Sequence, residues 1–203
     1  MINHWTDIKT GDRLFKDTDF NDKGKSLFMK CINWFTSMFQ GFKKETRGNF
    51  TDGADHTETF VWINDILYVA SATNKEGVRR KPFKRWCNQE GNPRIVIIRK
   101  TIPYTKLGEN SIRYQIEEDM GLPYALKSGT KALLTDKDEV SIADVLKVLE
   151  ERGLICSETT AKWEIKSEGI HWPDMLPKEL QKYYLENGRH IVFDGKCLNL
   201  FKL

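Results

Sequence analysis

Cysteine and histidine are both scarce, with four of each in a chain of 203 residues, and their placing removes several kinds of chemistry. The cysteines stand at 31, 87, 156 and 197 without a Cys-x-x-Cys pair, and no histidine falls at a spacing typical of a zinc site. Two disulfides are possible on count. No basic-then-apolar leader opens the sequence, however, so the thiols are expected to stay reduced and the address to be cytoplasmic. No apolar run approaches the roughly 20 residues of a membrane-spanning helix. A Walker loop, a Gly-x-Ser-x-Gly elbow and a His-Glu-x-x-His helix are all missing. That removes the commonest NTPase, serine esterase and zinc protease readings, and no cofactor is expected. Charge of one sign is also lacking: the net value of +3 is too small to imply a polyanionic partner, so no nucleic acid is expected.

What is present describes a globular chain. An apolar fraction of 39% beside a charged fraction of 30% suits one domain over residues 1–203, large enough to bury a core. Thr10-Gly-Asp12 followed by Arg13-Leu-Phe15 reads as a turn into a short strand. From Lys23 to Gln40, Leu27, Phe28, Cys31, Ile32, Phe35, Met38 and Phe39 recur at helical spacing, and a polar, glycine-rich loop follows to Asp55. His56–Ile63 and Ile66–Thr73 are rich in β-branched and aromatic residues, and Asn64-Asp65 joins them as a two-residue hairpin. Arg94–Arg99 is apolar on both faces and reads as a central strand.

Helices are expected over Glu109–Met120, ended by Gly121-Leu-Pro, and from Ser141 to Gly153 with Ile142, Val145, Leu146 and Leu149 on one stripe. Another begins near Ile155 and runs towards Glu164. His190–Phe193 and Cys197–Phe201 suggest a last hairpin turning at Asp194-Gly195. The sum is an α+β fold with an antiparallel sheet.

Cys156 in Gly153-Leu-Ile-Cys-Ser-Glu158 sits where a helix starts. Unpaired backbone N–H groups and the positive end of the helix dipole favour a thiolate there, which is the form that attacks a carbonyl. Leu154, Ile155 and Cys156 equally suit core positions at a helix start. On the first long strand, period-two geometry sends His56, Glu58, Phe60 and Trp62 to one face. The two-residue turn then sets Glu58 opposite Ser71 and His56 opposite Thr73. An imidazole so placed can take a thiol proton, and a polar neighbour can orient its ring. A histidine at a strand end is just as often simply solvated.

These segments, taken in order, resemble a known family. Thr10-Gly-Asp-Arg-Leu-Phe15, Asp55-His-Thr-Glu58 before a hairpin, Gly121-Leu-Pro-Tyr124 and Ile155-Cys-Ser-Glu158 are similar to the circularly permuted NlpC-type papain-like cysteine hydrolases, the YiiX-like amidases and peptidases. The resemblance implies a papain-like antiparallel sheet packed against helices, with a catalytic cysteine at a helix N-terminus. It makes Cys156 the nucleophile and His56 the base. Members often carry an acid just before an alanine on the strand after the histidine, where this chain has Ser71. Glu58, one step from His56 on the same face, is then a relocated acid, with Ser71 the other candidate. Tyr124, Asp12 and Ser157 are the implied substrate-side residues. The implied substrates are a small peptide, a peptidoglycan fragment or an acyl lipid.

A different function is also open. Lys75, Arg79, Arg80, Lys81, Lys84 and Arg85 cluster with Phe83 and Trp86. A domain of the same fold without turnover could engage an anionic partner there, although a solvated loop and helix face explains the cluster more simply.

Overall fold

The structure is a computed structural model that describes residues 1–17, 54–73, 76–122, 159–164 and 177–202. Its centre is a six-stranded antiparallel sheet of order β4-β3-β2-β1-β5-β6. The strands are β1 Arg13–Asp17, β2 Ala54–Ile63, β3 Ile66–Thr73, β4 Gly77–Pro82, β5 Arg94–Lys100 and β6 Arg189–Lys196. Among the described residues they are accompanied by α1 Phe83–Gln89, α2 Lys106–Asp119 and α3 Pro177–Glu186. Residues 159–164 are also helical. The fold class is therefore α+β, as the residue pattern indicates.

The β2–β3 hairpin forms because its two connecting residues accept a left-handed backbone. Asn64 has φ 47° and Asp65 φ 61°, the signs a two-residue type I′ turn requires, and Ile63 pairs with Ile66. That pairing fixes which side chains share a face all along both strands. β1 enters between β2 and β5 through a turn that needs glycine. Gly11 has φ +89°, and a Cβ there would stand 2.5 Å from the Tyr104 ring. Its N–H donates to the Phe60 carbonyl at 2.9 Å, which starts the β1–β2 pairing.

Both faces of the sheet are covered. On one, Leu14, Phe60, Leu67, Val69, Ile95 and Ile97 pack with Phe83, Trp86 and Cys87 of α1 and with Cys197 and Leu200. On the other, Val61, Ala70, Ala72 and Val78 lie under Ile112 and Ile116 of α2 and under Trp163. Beside them, Phe15, Val96 and Ile98 meet Leu180 and Tyr184 of α3. The unbroken apolar run of β5 follows from its position between β1 and β6 with both faces buried.

Helix α2 begins earlier than the periodicity suggests, because the Thr105 hydroxyl accepts from the Gly108 N–H at 3.2 Å as an N-cap. Gly121, at φ +82°, turns the chain just after α2. Its N–H and the Leu122 carbonyl both bond to Val78, tying the helix exit to β4.

Two expectations need correction. The stretch Gly77–Pro82 within the basic cluster is not a solvated loop but strand β4, and Phe83 and Trp86 after it are core residues. Arg79 and Lys81 project from that strand to Glu76 at 2.8 and 2.9 Å, and Arg80 meets Glu117. The last hairpin is absent too. Asp194 and Gly195 continue β6, paired with Val96 and Ile95, and Gly195 is not left-handed. Arg94 holds Asp194 in the strand by two bonds of 2.9 Å. The following Cys197–Phe201 is a 3-10 helix whose Cys197 and Leu200 turn into the core. The helices read over Lys23–Gln40 and Ser141–Gly153, and the loop up to residue 53, lie outside the described residues.

The left-handed Asp65 gives a stability test. Replacing Asp65 by glycine makes the Asn-Gly pair that type I′ turns favour, and should raise stability by about 0.5 kcal/mol. A higher urea midpoint with an unchanged m-value is the expected result; a lower midpoint would show that the turn is not type I′.

Candidate active site

The site starts from one buried carboxylate. Strand alternation directs Glu58 to the Phe60 face, where α1 and β4 leave it no exposure to solvent. A carboxylate so placed requires charged or hydrogen-bonding partners. Its Oε1 has three. His56 Nε2 lies at 2.9 Å, the Trp86 indole N–H donates at 3.1 Å, and Arg79 Nη2 stands at 3.8 Å. Oε2 has no hydrogen-bond partner among the described residues. Lys16 adds positive charge from β1, its Nζ 5.4 Å over the Trp86 ring and also bonded to Glu90.

The electrostatics of Glu58 follow from two opposed effects. Burial alone pushes its carboxyl up. The His56 hydrogen bond and the charges of His56, Arg79 and Lys16 outweigh that and hold it below the ordinary value of 4.5. Glu58 is thus an anion at neutral pH, facing an imidazole nitrogen.

The residues singled out in the sequence fare differently. His56 and Glu58 are brought together at the start of β2, His56 pairing with Lys16 of β1. Ser71 is buried on β3 opposite Arg79, and its hydroxyl has no hydrogen-bond partner among the described residues. The bond to the His56 ring is therefore made by Glu58. Asp12 is elsewhere. Its carboxylate takes three bonds from Arg99, at 2.7 to 3.3 Å, and one from the Lys9 N–H at 2.9 Å. It lies four residues along β1 from Lys16, the partner of His56, about 13 Å away at the rise of a strand. Cys156, Ser157 and Tyr124 lie outside the described residues.

The helical residues just after Cys156 are described, and they define a side of the sheet. Trp163 packs with Val61 and Ala70, and its indole donates to Asp119 at 2.9 Å. Glu164 reaches Arg13 at 3.6 Å and also pairs with Arg189. Val61 and Phe60 point to opposite faces, so residues 159–164 lie across the sheet from the His56 ring. Among the described residues no three His, Cys, Asp or Glu side chains cluster as metal ligands. Nor is any helix there long and apolar enough to cross a membrane.

Two supports of the pair, Trp86 and Arg79, were not legible in the sequence. Both fall inside the run of basic and aromatic residues. Only recognising Gly77–Pro82 as a strand opposite β3 brings Arg79 beside Ser71 and Glu58.

Comparison with solved structures adds a likeness. The chain is similar to the metalloprotein yiiX from Escherichia coli O157:H7, with a TM-score of 0.49 and 18% identity over 96% of this chain and 92% of that one. No family model and no curated protein sequence matches the chain.

The lowered Glu58 pKa has a defined sign. Stability from this group is fully present above the unfolded value near 4.5 and is lost as pH falls through the lower folded value. Glu58→Gln removes the charge and leaves partners of Oε1 unsatisfied, so it should cost about 1–3 kcal/mol at pH 7. The gap between wild type and variant should narrow in urea titrations below pH 4.5. A gap that stays constant down to pH 3 would contradict an ionised Glu58.

Proposed function

We propose that the chain is a cysteine hydrolase of amide or ester bonds, with Cys156 as nucleophile, His56 as general base and Glu58 as the residue that orients the His56 ring. The observation that carries this reading is the 2.9 Å contact between His56 Nε2 and the buried, ionised Glu58. An imidazole beside a dedicated carboxylate is the arrangement a thiol needs in order to lose its proton. The order of the Gly11-Asp12, His56 and Cys156 segments, which resembles permuted NlpC-type hydrolases, supplies the nucleophile.

The chemistry follows from the tautomer. With Nε2–H donating a hydrogen bond to the Glu58 carboxylate, Nδ1 is the nitrogen that takes the Cys156 proton, and Glu58 stabilises the resulting imidazolium. The thiolate attacks the substrate carbonyl, and the oxyanion is met by the backbone N–H of Cys156. The imidazolium returns its proton to the leaving group. Water, activated by the same ring, then releases the acyl group from sulfur. A small peptide, a peptidoglycan fragment or an acyl lipid each offers the required carbonyl.

A second reading has its own observation. Residues 159–164 pack on the Val61 face, so the chain before them must pass to the other side of the sheet for Cys156 to meet His56. Were it not to do so, the domain would bind a partner without turnover. The basic residues of β4 and α1 are partly engaged already, Arg79 and Lys81 with Glu76 and Lys84 over the Phe201 ring at 5.8 Å.

Thiol chemistry separates the two readings. Under the hydrolase reading, iodoacetamide alkylates Cys156 rapidly well below pH 8, and His56→Ala returns it to the profile of a free thiol near about 8.5. If Cys156 of the wild-type protein already titrates as a free thiol, there is no Cys156–His56 pair and the binding reading holds.

A further inference from the structure

The helix-covered face of the sheet buries more positive charge than it matches. Arg13 alternates with Leu14 on β1 and so shares the face of Phe15, beneath α3. Its side chain is wholly buried, and Nη1 donates to Thr59 Oγ1 at 2.5 Å. Arg189, also buried, donates from Nη2 to the Tyr104 hydroxyl at 3.2 Å, and its guanidinium lies 4.3 Å from the centre of the Tyr184 ring. Glu164 is the carboxylate between them. One of its oxygens pairs with Arg189, and the other stands 3.6 Å from Arg13 Nη2. The nearby buried carboxylates are already matched, Asp119 by Lys162 and Trp163 and Asp12 by Arg99. Among the described residues, two guanidiniums therefore share one carboxylate and leave one positive charge enclosed.

Donors are left over as well. Arg13 Nε and Nη2, Arg189 Nη1 and the Tyr184 hydroxyl have no hydrogen-bond partner among the described residues. The same holds for the side chains of Thr160, one helical turn before Glu164, and Gln181, one turn before Tyr184, both wholly buried. Buried polar groups without partners are rare in folded proteins, and a cluster of them marks the place of a water or an ion. Water accepts the N–H bonds but leaves the surplus charge, which is costly away from solvent. Burial first, and the like charge of Arg13 after it, pull the Arg189 guanidinium down to about 10, as suits a cation short of counter-charge. From this arrangement we propose that Arg13 and Arg189 bind a small monovalent anion of halide size. Their unpaired N–H groups hold it, and the Tyr184 hydroxyl is the neighbouring donor. One monovalent anion completes the charge balance, whereas a divalent one reverses it. The site is separate from the His56–Glu58 pair, which lies on the opposite face. Its occupant ties β1 and β6 to residues 159–164, the helical segment just after Cys156.

Bromide serves as the probe. The wild-type protein is melted in sodium bromide and in sodium gluconate at equal ionic strength, gluconate being an anion that a halide-sized site rejects. The expected result is a saturable rise in melting temperature specific to bromide, about 4 °C at roughly tenfold over half-saturation. Crystals grown in bromide should show an anomalous-scattering peak between Arg13 and Arg189. Arg189→Met should lose the bromide increment, and if that variant does not fold, the wild-type increment and peak decide. Equal melting in the two salts, an increment that survives in Arg189→Met, or water in place of bromide between the guanidiniums would overturn the proposal.

Discussion

A single buried anion sets the terms for one face of this protein. Glu58 has no contact with solvent, and an ion taken out of water is tolerated only where partners replace its hydration. That requirement explains why Trp86 turns its indole N–H inward and why Arg79 points along the sheet. It also explains why the His56 ring turns its Nε2 to Glu58 rather than out into water. Each partner comes from a different element: β2 itself, α1 and β4. The carboxylate thus couples the seating of α1 to the positioning of the imidazole. Glu58 is at once a core constraint and the orienting group of the proposed base.

The sheet makes this possible by dividing labour between its faces. On the Phe60 face the aromatic cluster and α1 enclose the ion pair. On the Val61 face, α2, α3 and residues 159–164 cover β-branched and small residues. A second buried ion group, Arg13 with Glu164 and Arg189, anchors the helical residues there. The two charged groups lie on opposite faces of the sheet, Glu58 on β2 and Arg13 on the neighbouring β1.

Much of the arrangement was legible from local chemistry, and its failures have physical reasons. The β2–β3 hairpin could be read because Asn64-Asp65 tolerates positive φ and alternation is strict on either side. The same alternation put Glu58 beside His56, the one contact of the site that sequence spacing alone can give. β4 was missed because Gly77–Pro82 carries three consecutive basic residues, a composition that signals solvent. Their aliphatic stems and Glu76, Glu117 and Glu58 supply what an isolated sequence cannot show. Asp194-Gly195 misled for a related reason. A turn-forming pair stays extended when the neighbouring strand offers a full ladder and an arginine for the aspartate. Trp86 looked like a surface aromatic among lysines, and only the burial of Glu58 reveals why it faces inward.

The most direct test of the central pair is the protonation state of the His56 ring, read by nitrogen-15 NMR of the folded protein at neutral pH. The expected spectrum shows Nε2 carrying a hydrogen-bonded proton, with that proton signal lost in Glu58→Gln. A neutral ring protonated on Nδ1, with a bare Nε2 unaffected by Glu58→Gln, would contradict the pairing on which the site is built.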